Sequence, residues 1–331
     1  MNQPLIKRTL FTFFAAVLFA GITLKAQQTA HTIILDKMNY LLQLPEGYND
    51  EIQKDWPLMV FLHGAGETGD DVEKVKLLGP PRKIADGYKY PFIVVSPQSP
   101  EHGWNADFVR RLVLDLQKRY RIDEDRTYLT GLSMGGFGTW RTAQSYPELF
   151  AAIIPICGGG DSYNPWSLEN MPVWCFHGDK DDVVDIKYSQ GMIDSLKPYN
   201  NPNVKFTVYP GVGHDSWTET YNNEDVYKWM LSHKRFKYEE TPMTDAQLQE
   251  YTGKYIRTEY NETMEMVVKD NHLQTYWGDD SYGNMYKYAG NDVFFIEPTR
   301  YQNVKFTRDK DNKVSGMTVY YNRFRMDYKK Q

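Results

Sequence analysis

The sequence Gly-Leu-Ser-Met-Gly at residues 131–135 places Ser133 between two glycines, each two residues away. An apolar stretch at residues 128–130 precedes it, and a helix-compatible stretch at residues 137–146 follows. Such a turn from strand to helix exposes the serine at the end of a sheet. The glycines are needed because a Cβ atom there would collide with the neighbouring strand and helix. The pattern predicts that Ser133 is a nucleophile.

A serine hydroxyl attacks well only when a base removes its proton, and histidine is the usual base. His214 is the best candidate, because it directly follows a predicted strand in the turn Gly-Val-Gly-His. His63 and His177 also stand at strand ends. His63 precedes the serine, against the expected order, and His177 lies too close to its strand to move. We expect both to pack and to hold loops through hydrogen bonds.

A carboxylate should orient the base, and the loop after the predicted strand at residues 173–176 offers several. Its four aspartates are Asp179, Asp181, Asp182 and Asp185. One should face His214, and the others should be solvated or cap the next helix. Spacing alone does not choose among them. We prefer Asp181, with Asp182 as the second choice, which gives the chain order Ser, Asp, His.

The negatively charged oxygen of a tetrahedral intermediate needs backbone N–H donors. We predict that one is the N–H of Met134, directly after the serine. The other should come from the turn His-Gly-Ala-Gly-Glu at residues 63–67, where Ala65 is preferred and Gly66 is the alternative.

Three side chains near these loops are predicted to contact a substrate. They are Gln98 and Trp104, in the loop after the second buried strand, and Trp217, three residues beyond His214. They could form the wall of a pocket for an aromatic acyl group or a sugar. Loop aromatics that only pack in the interior are an equally good interpretation.

Alternating strands and helices should position all these groups. Continuous apolar runs at residues 56–62, 92–95, 151–157, 173–176 and 204–209 are typical of strands buried on both faces. Helices are predicted near residues 108–120, 137–146, 186–196 and 224–231. This alternation predicts an α/β fold with a doubly wound, mostly parallel sheet. The catalytic loops should then meet at the carboxyl ends of its strands.

The pattern changes near residue 240. Short alternating segments at residues 264–268, 273–277, 293–296, 304–307 and 317–321 are separated by turn residues. They predict a small antiparallel all-β domain of roughly 90 residues that curls over a core.

The amino terminus resembles a targeting segment. Lys7 and Arg8 precede an uncharged apolar run at residues 10–24, and the small residue Ala26 follows. The run is shorter than the roughly 20 residues of a membrane-spanning helix, so an uncleaved anchor is the less favoured alternative. We predict a signal peptide at residues 1–26, a catalytic domain at 27–238 and an accessory β domain at 239–331. The mature protein would be exported, to the periplasm or the medium, and not membrane-bound.

Composition argues against several other classes of protein. The 331 residues carry a net charge of −5, which gives no indication of a nucleic-acid partner. Cys157 and Cys175 are too few for a disulfide framework. The histidines are scattered without metal-ligand spacing, and the glycines at 158–160 lack the continuation of a phosphate loop. We therefore expect neither a metal nor a cofactor, and the oligomeric state stays open.

Four motifs together resemble the α/β-hydrolase superfamily. They are His-Gly-Ala-Gly-Glu after a strand, Gly-Leu-Ser-Met-Gly-Gly, His-Gly-x-x-Asp-x-x-Val and Gly-x-Gly-His. Over residues 56–232 the chain looks like the secreted feruloyl esterases, acetylxylan esterases and poly-hydroxybutyrate depolymerases. In that group the acid is the aspartate of His-Gly-x-x-Asp, which falls on Asp181. Residues 240–331 resemble, more weakly, a small β domain appended to some exported hydrolases.

The resemblance implies an exported serine esterase that removes feruloyl or acetyl groups from polysaccharide. A small-molecule ester is the other substrate it allows. The alternative is a serine peptidase related to prolyl oligopeptidase, although such enzymes usually carry an additional N-terminal domain. A non-catalytic binding protein that works through its β domain is a third hypothesis. No long insertion follows the predicted serine turn, so we expect an open cleft that favours bulky or polymeric substrates.

Overall fold

The structure is a computed structural model that describes residues 28–33, 38–298, 302–321 and 324–331. The predicted signal peptide at residues 1–26 lies outside this range. Within the described ranges, no helix has both the length and the apolar character needed to cross a membrane.

Eight strands form one sheet in the order β1-β2-β4-β3-β5-β6-β7-β8. Their bounds are β1 Thr29–Ile33, β2 Met38–Gln43, β3 Trp56–Leu62, β4 Ile93–Pro97, β5 Ile122–Leu132, β6 Ala152–Ile156, β7 Val173–Gly178 and β8 Val204–Tyr209. The pairs β1–β2 and β2–β4 are antiparallel, and the other pairs are parallel. Every residue of β3, β4 and β6 is buried, which explains their continuous apolar sequences.

Helices cover both faces of this sheet. Their bounds are α1 Gly79–Ala85, α2 Ala106–Arg119, α3 Met134–Ser145, α4 Lys187–Leu196, α5 Trp217–Asn222 and α6 Glu224–Leu231. Alternate residues of a strand point to opposite faces. Leu58 and Val60 of β3 accordingly pack in a cluster with side chains of α2 and α4, whereas Met59 and Phe61 pack in another with α1 and α6. The predicted doubly wound α/β fold is confirmed.

The C-terminal region is a closed antiparallel barrel, in the order β10-β11-β12-β13-β14-β15-β16-β9. A short helix, α7 Asp245–Leu248, precedes it. The strands are β9 Gly253–Arg257, β10 Glu262–Lys269, β11 His272–Gly278, β12 Ser281–Gly290, β13 Val293–Phe295, β14 Gln302–Arg308, β15 Val314–Tyr321 and β16 Phe324–Lys330. The antiparallel all-β character is confirmed. The sequence patterns missed β9, β12 and β16. Much of β12 and β16 is exposed to solvent, and β9 is a strand of only five residues with mixed burial.

Contacts join the barrel to the α/β region. Lys305 of β14 forms an ion pair with Glu169, whose carboxyl group is almost fully buried. Trp166 packs near Tyr320 of β15, with ring centroids 6.4 Å apart. Because these anchors lie on the neighbouring strands β14 and β15, they hold that side of the barrel against the α/β region.

Candidate active site

Ser133 occupies a strained turn between β5 and α3. Its φ is 53° and its ψ is −118°, a combination that residues with a side chain rarely adopt. The turn is also crowded. A Cβ on Gly131 would lie 2.4 Å from the carbonyl oxygen of Gly135, and one on Gly135 would lie 1.9 Å from that of Leu62. Only glycine fits at either position, so the spacing of the motif has a direct steric cause.

The structure brings Ser133, His214 and Asp181 together. The Nε2 atom of His214 lies 3.0 Å from Oγ of Ser133, and Nδ1 lies 2.8 Å from Oδ2 of Asp181. His214 is 81 residues from Ser133 and 33 residues from Asp181 along the chain. The three residues follow β5, β8 and β7, at the shared edge where parallel strands end. The imidazole can therefore accept the proton of the serine while the carboxylate holds its other nitrogen.

Asp181 is held as an anion. Its side chain is fully buried, and burial alone would raise its pKa. Hydrogen bonds from His214 and from the backbone N–H groups of Val184 and Val183 outweigh burial, so the pKa of Asp181 is lowered. Both backbone bonds go to Oδ1, at 2.8 Å and 3.0 Å, whereas Oδ2 faces Nδ1 of His214 and also lies 3.2 Å from Nε2 of His177. The carboxylate is thereby fixed in one orientation.

The other aspartates and histidines have different contacts. Asp179 accepts a hydrogen bond from the N–H of Gly211, and Asp182 is exposed. His177 is fully buried and contacts the hydroxyl of Ser189 and the carbonyl of Val184. These contacts hold the loops around the site and leave His214 as the histidine that reaches the serine.

The predicted oxyanion donors stand on the turns that follow β3 and β5. β3 pairs with β5 so that Leu62 stands opposite Gly131, and the turns that follow the two strands are therefore neighbours. Met134 is the first residue of α3, and Ala65 is the first residue of a 3₁₀ turn, Ala65–Glu67. An N–H at the first position of a helix has no acceptor within that helix, so the assignment of both groups to a substrate oxygen stays a prediction.

Buried side chains shape this 3₁₀ turn. The carboxyl group of Glu67 is buried, its Oε2 has no hydrogen-bond partner among the described residues, and burial raises its pKa. His63 accepts a hydrogen bond at Nε2 from the N–H of Ser99, at 2.9 Å, and burial lowers its pKa to about 4. The two side chains are 4.0 Å apart. Burial favours the neutral form of both, so the contact is not an ion pair.

Of the predicted substrate residues, Gln98 and Trp104 are buried. The amide of Gln98 donates to the carbonyls of Glu67 and Asp71, at 2.8 Å and 2.9 Å. The indole of Trp104 donates to the carbonyl of His63, at 3.1 Å. Since Gln98 is only 1% exposed, we revise its assignment: it holds the 3₁₀ turn in place and has almost no surface for a substrate. Trp104 is 3% exposed and likewise has little surface for a substrate.

Trp217 lies at the site itself. Its ring packs edge-on against the imidazole of His214, with centroids 5.1 Å apart. A second aromatic pair, which the sequence patterns missed, flanks the serine. Phe137 lies one helical turn after Ser133 and packs against Tyr188, at 5.4 Å between centroids. The Gly-Gly-Phe continuation of the motif was a signal for Phe137. Tyr188 carried none, because only the fold brings α4 next to α3.

Both cysteines are free and buried, and burial raises the pKa of each thiol to about 12. Cys157 lies near Asp181 and His214, and these three residues are the one grouping in the described part of the chain with atoms placed to hold a metal ion. Its thiol is protonated at neutral pH, and the other two residues already bind each other. The grouping is therefore a poor metal site.

Comparisons with known proteins agree with this geometry. Residues 104–230 match the phospholipase/carboxylesterase family. A poly(3-hydroxyalkanoate) depolymerase C of Paucimonas lemoignei is 26% identical, over 54% of this chain and 45% of the relative. A probable acetylxylan esterase A of Aspergillus terreus is 25% identical, over 61% of this chain and 70% of the relative. The chain thus spans less than half of the depolymerase.

Among solved structures, one described as a thermostable esterase is 31% identical, with a TM-score of 0.54 over 64% of each chain. The sheet order, the strained serine turn and these matches converge on one conclusion. The chain has the α/β-hydrolase fold and is similar to esterases that share it.

Proposed function

We propose that this protein is an exported serine esterase that hydrolyses carboxylic esters through a covalent acyl-enzyme. The observation that carries the proposal is the continuous chain of contacts from Oγ of Ser133 through His214 to Asp181. Its acyl groups would be acetyl or feruloyl groups on a polysaccharide. In this proposal Ser133 is the nucleophile, His214 the base and Asp181 the acid that orients the base.

The proposed reaction follows from the geometry. His214 takes the hydroxyl proton of Ser133 at Nε2 while Oγ attacks the ester carbonyl carbon. The N–H groups of Ala65 and Met134 stabilise the resulting oxyanion, each by about 2.7–4 kcal/mol in the transition state. The imidazolium then protonates the departing alcohol. A water molecule, deprotonated by the same imidazole, releases the acid and restores Ser133.

The substrate class is supported by the names of relatives and by the shape of the site. The curated relatives include an acetylxylan esterase and feruloyl esterases. Ser133 and His214 are both partly exposed, so a bulky ester can reach them. Phe137, Tyr188 and Trp217 present aromatic surface around the serine, which suits a planar acyl group or the apolar face of a sugar.

The test is the Ser133→Ala variant, assayed on 4-nitrophenyl acetate, methyl ferulate and acetylated xylan. We expect kcat to fall by on the order of 10⁶-fold on every ester that the wild type cleaves. Ser195→Ala is the matched control, because the hydroxyl of Ser195 only donates to the carbonyl of Met192 within α4. Retention of turnover in Ser133→Ala would reject the assignment. Wild-type inactivity on all three esters would reject the substrate class.

A further inference from the structure

A second histidine lies against the carboxylate that faces His214. Nε2 of His177, in β7, is 3.2 Å from Oδ2 of Asp181, the same oxygen that lies 2.8 Å from Nδ1 of His214. His177 is fully buried and offers no surface to a substrate. Two imidazole nitrogens therefore approach one oxygen of Asp181, and only one of the two rings also reaches Ser133.

The surroundings of Nε2 determine where the ring of His177 carries a hydrogen. This nitrogen lies 2.9 Å from the carbonyl oxygen of Val184 as well as near Oδ2 of Asp181. A carbonyl oxygen can only accept a hydrogen bond, and so can a carboxylate that is held as an anion. Nε2 must therefore carry a hydrogen. It donates this hydrogen to Val184, and the positive end of the N–H dipole lies close to the carboxylate.

Val184 connects His177 to the other oxygen of Asp181. The carbonyl of Val184 accepts from Nε2 of His177, and its N–H donates to Oδ1 of Asp181 at 2.8 Å. The loop that contains these groups has little buried surface, since Asp182 and Val183 are exposed. The bond from His177 thus ties an exposed loop, and through it the carboxylate, to a buried strand.

The other ring nitrogen of His177 is held by a helix. Nδ1 lies 2.8 Å from Oγ of Ser189 in α4, and this hydroxyl also lies 2.8 Å from the carbonyl oxygen of Gly158, just after β6. Ser189 is fully buried. The contact at Nδ1 opposes rotation of the ring, so Nε2 stays directed at the loop of Asp181.

We propose that His177 is a positioning residue that acts on the reaction through Asp181. It holds the loop of Asp181 at Val184 and keeps Oδ2 in place beside Nδ1 of His214. A carboxylate that moved would let the imidazole turn away from Ser133, and small misplacements of this kind cost about 10²-fold in rate. The inference rests on the proposed function for the identity of the reaction, and it adds a fourth side chain to the proposed triad.

Two substitutions separate this role from simple packing, because each replaces one side of the ring. The amide nitrogen of glutamine can take the place of Nε2, whereas that of asparagine can take the place of Nδ1. On 4-nitrophenyl acetate we expect His177→Asn to lower kcat about 100-fold with KM unchanged, and His177→Gln to stay close to the wild type. Equal losses in the two variants, or a larger loss in His177→Gln, would overturn the proposal.

A double-mutant cycle tests whether His177 acts through Asp181. Once Asp181→Asn has removed the carboxylate, adding His177→Asn should lower kcat no further, whereas a merely structural role would multiply the two losses. If His177→Asn does not fold, Ser189→Ala takes its place in the cycle, with the same expectation. Phe150→Leu is the control for lost stability. Phe150 is buried just before β6, at the opposite end of the sheet, so this variant should melt earlier with kcat unchanged.

NMR distinguishes failure of this inference from failure of the proposed reaction. The Nδ1–H signal of His214 is recorded in the full chain labelled with ¹⁵N-histidine, and is assigned by its absence in His214→Gln. We expect the signal to persist in His177→Gln and to be lost in His177→Asn. That pattern in a protein without esterase activity would uphold the role of His177 and reject the reaction. A signal that is equally strong in both variants would overturn the role and leave the esterase assignment intact.

Discussion

Replacing Asp181 with asparagine tests the catalytic geometry most sharply, because the substitution changes one atom without changing shape. Oδ1 of Asp181 accepts from the N–H groups of Val183 and Val184, and Oδ2 faces Nδ1 of His214. An asparagine can keep its oxygen on the two backbone groups or turn it towards the histidine. Turning it loses two backbone hydrogen bonds to gain one. Each buried donor left without a partner costs about 1–3 kcal/mol, so the orientation that keeps the oxygen on the two backbone N–H groups should be favoured.

In that orientation, the NH₂ group of the asparagine points at Nδ1 of His214. Nδ1 must then be the acceptor, and the imidazole proton moves to Nε2. A protonated Nε2 donates to Oγ of Ser133 and cannot remove its proton. We expect Asp181→Asn to lower kcat by about 10⁴-fold, because the wrong tautomer of the imidazole cannot act as the base. This corresponds to about 5.5 kcal/mol of activation free energy.

The assay is steady-state hydrolysis of 4-nitrophenyl acetate at pH 7.5, with thermal unfolding followed in parallel to show that the variant is folded. Asp182→Asn is the matched control, since the neighbouring side chain is exposed, and its kcat should equal that of the wild type. A loss of less than about tenfold in folded Asp181→Asn would refute the tautomer argument. A large loss of kcat in Asp182→Asn would instead identify Asp182 as the acid of the triad.

Two further predictions concern the loops that carry the site. Gly135→Ala should destabilise the fold by on the order of 4 kcal/mol or abolish soluble expression, because the new Cβ would lie 1.9 Å from the carbonyl oxygen of Leu62. Denaturant unfolding measures this loss of stability. Gly191→Ala is the control and should not be destabilised, because a Cβ at that position meets no atom within 4 Å. The second uses pH: burial lowers the pKa of His63 to about 4, so from pH 6.5 down to 4 only the unfolded chain takes up that proton. As the pH falls from 6.5 to 4, the free energy of unfolding should therefore decrease by about 3 kcal/mol more in the wild type than in His63→Gln. Equal dependence of this free energy on pH in the two proteins would contradict the burial of a neutral His63.

The buried strands and the serine turn could be predicted from the sequence because their causes are local. A strand buried on both faces must be apolar throughout, as β3 and β6 are. The glycines around Ser133 are required by atoms only a few residues away or on the adjacent strand. The chain order of serine, acid and base was likewise visible, since each residue follows its own strand.

The barrel was predicted only in part. β12 and β16 carry many exposed polar residues, and the alternation that marks a half-buried strand is weak in them. Their place depends on closure of the sheet, in which β16 pairs with β9. A pairing between residues so distant in sequence leaves no mark in local composition.

The sequence alone determined that a serine would stand in a strained turn at the end of a parallel sheet, because steric exclusion and apolar periodicity depend on residues that are close together in the chain. Only the tertiary structure decided that Asp181, rather than Asp182, faces His214, because that depends on two backbone N–H groups fixing one carboxylate oxygen. The same holds for the contact of Tyr188 with Phe137. These features arise where separate elements pack together, and no stretch of the chain contains them.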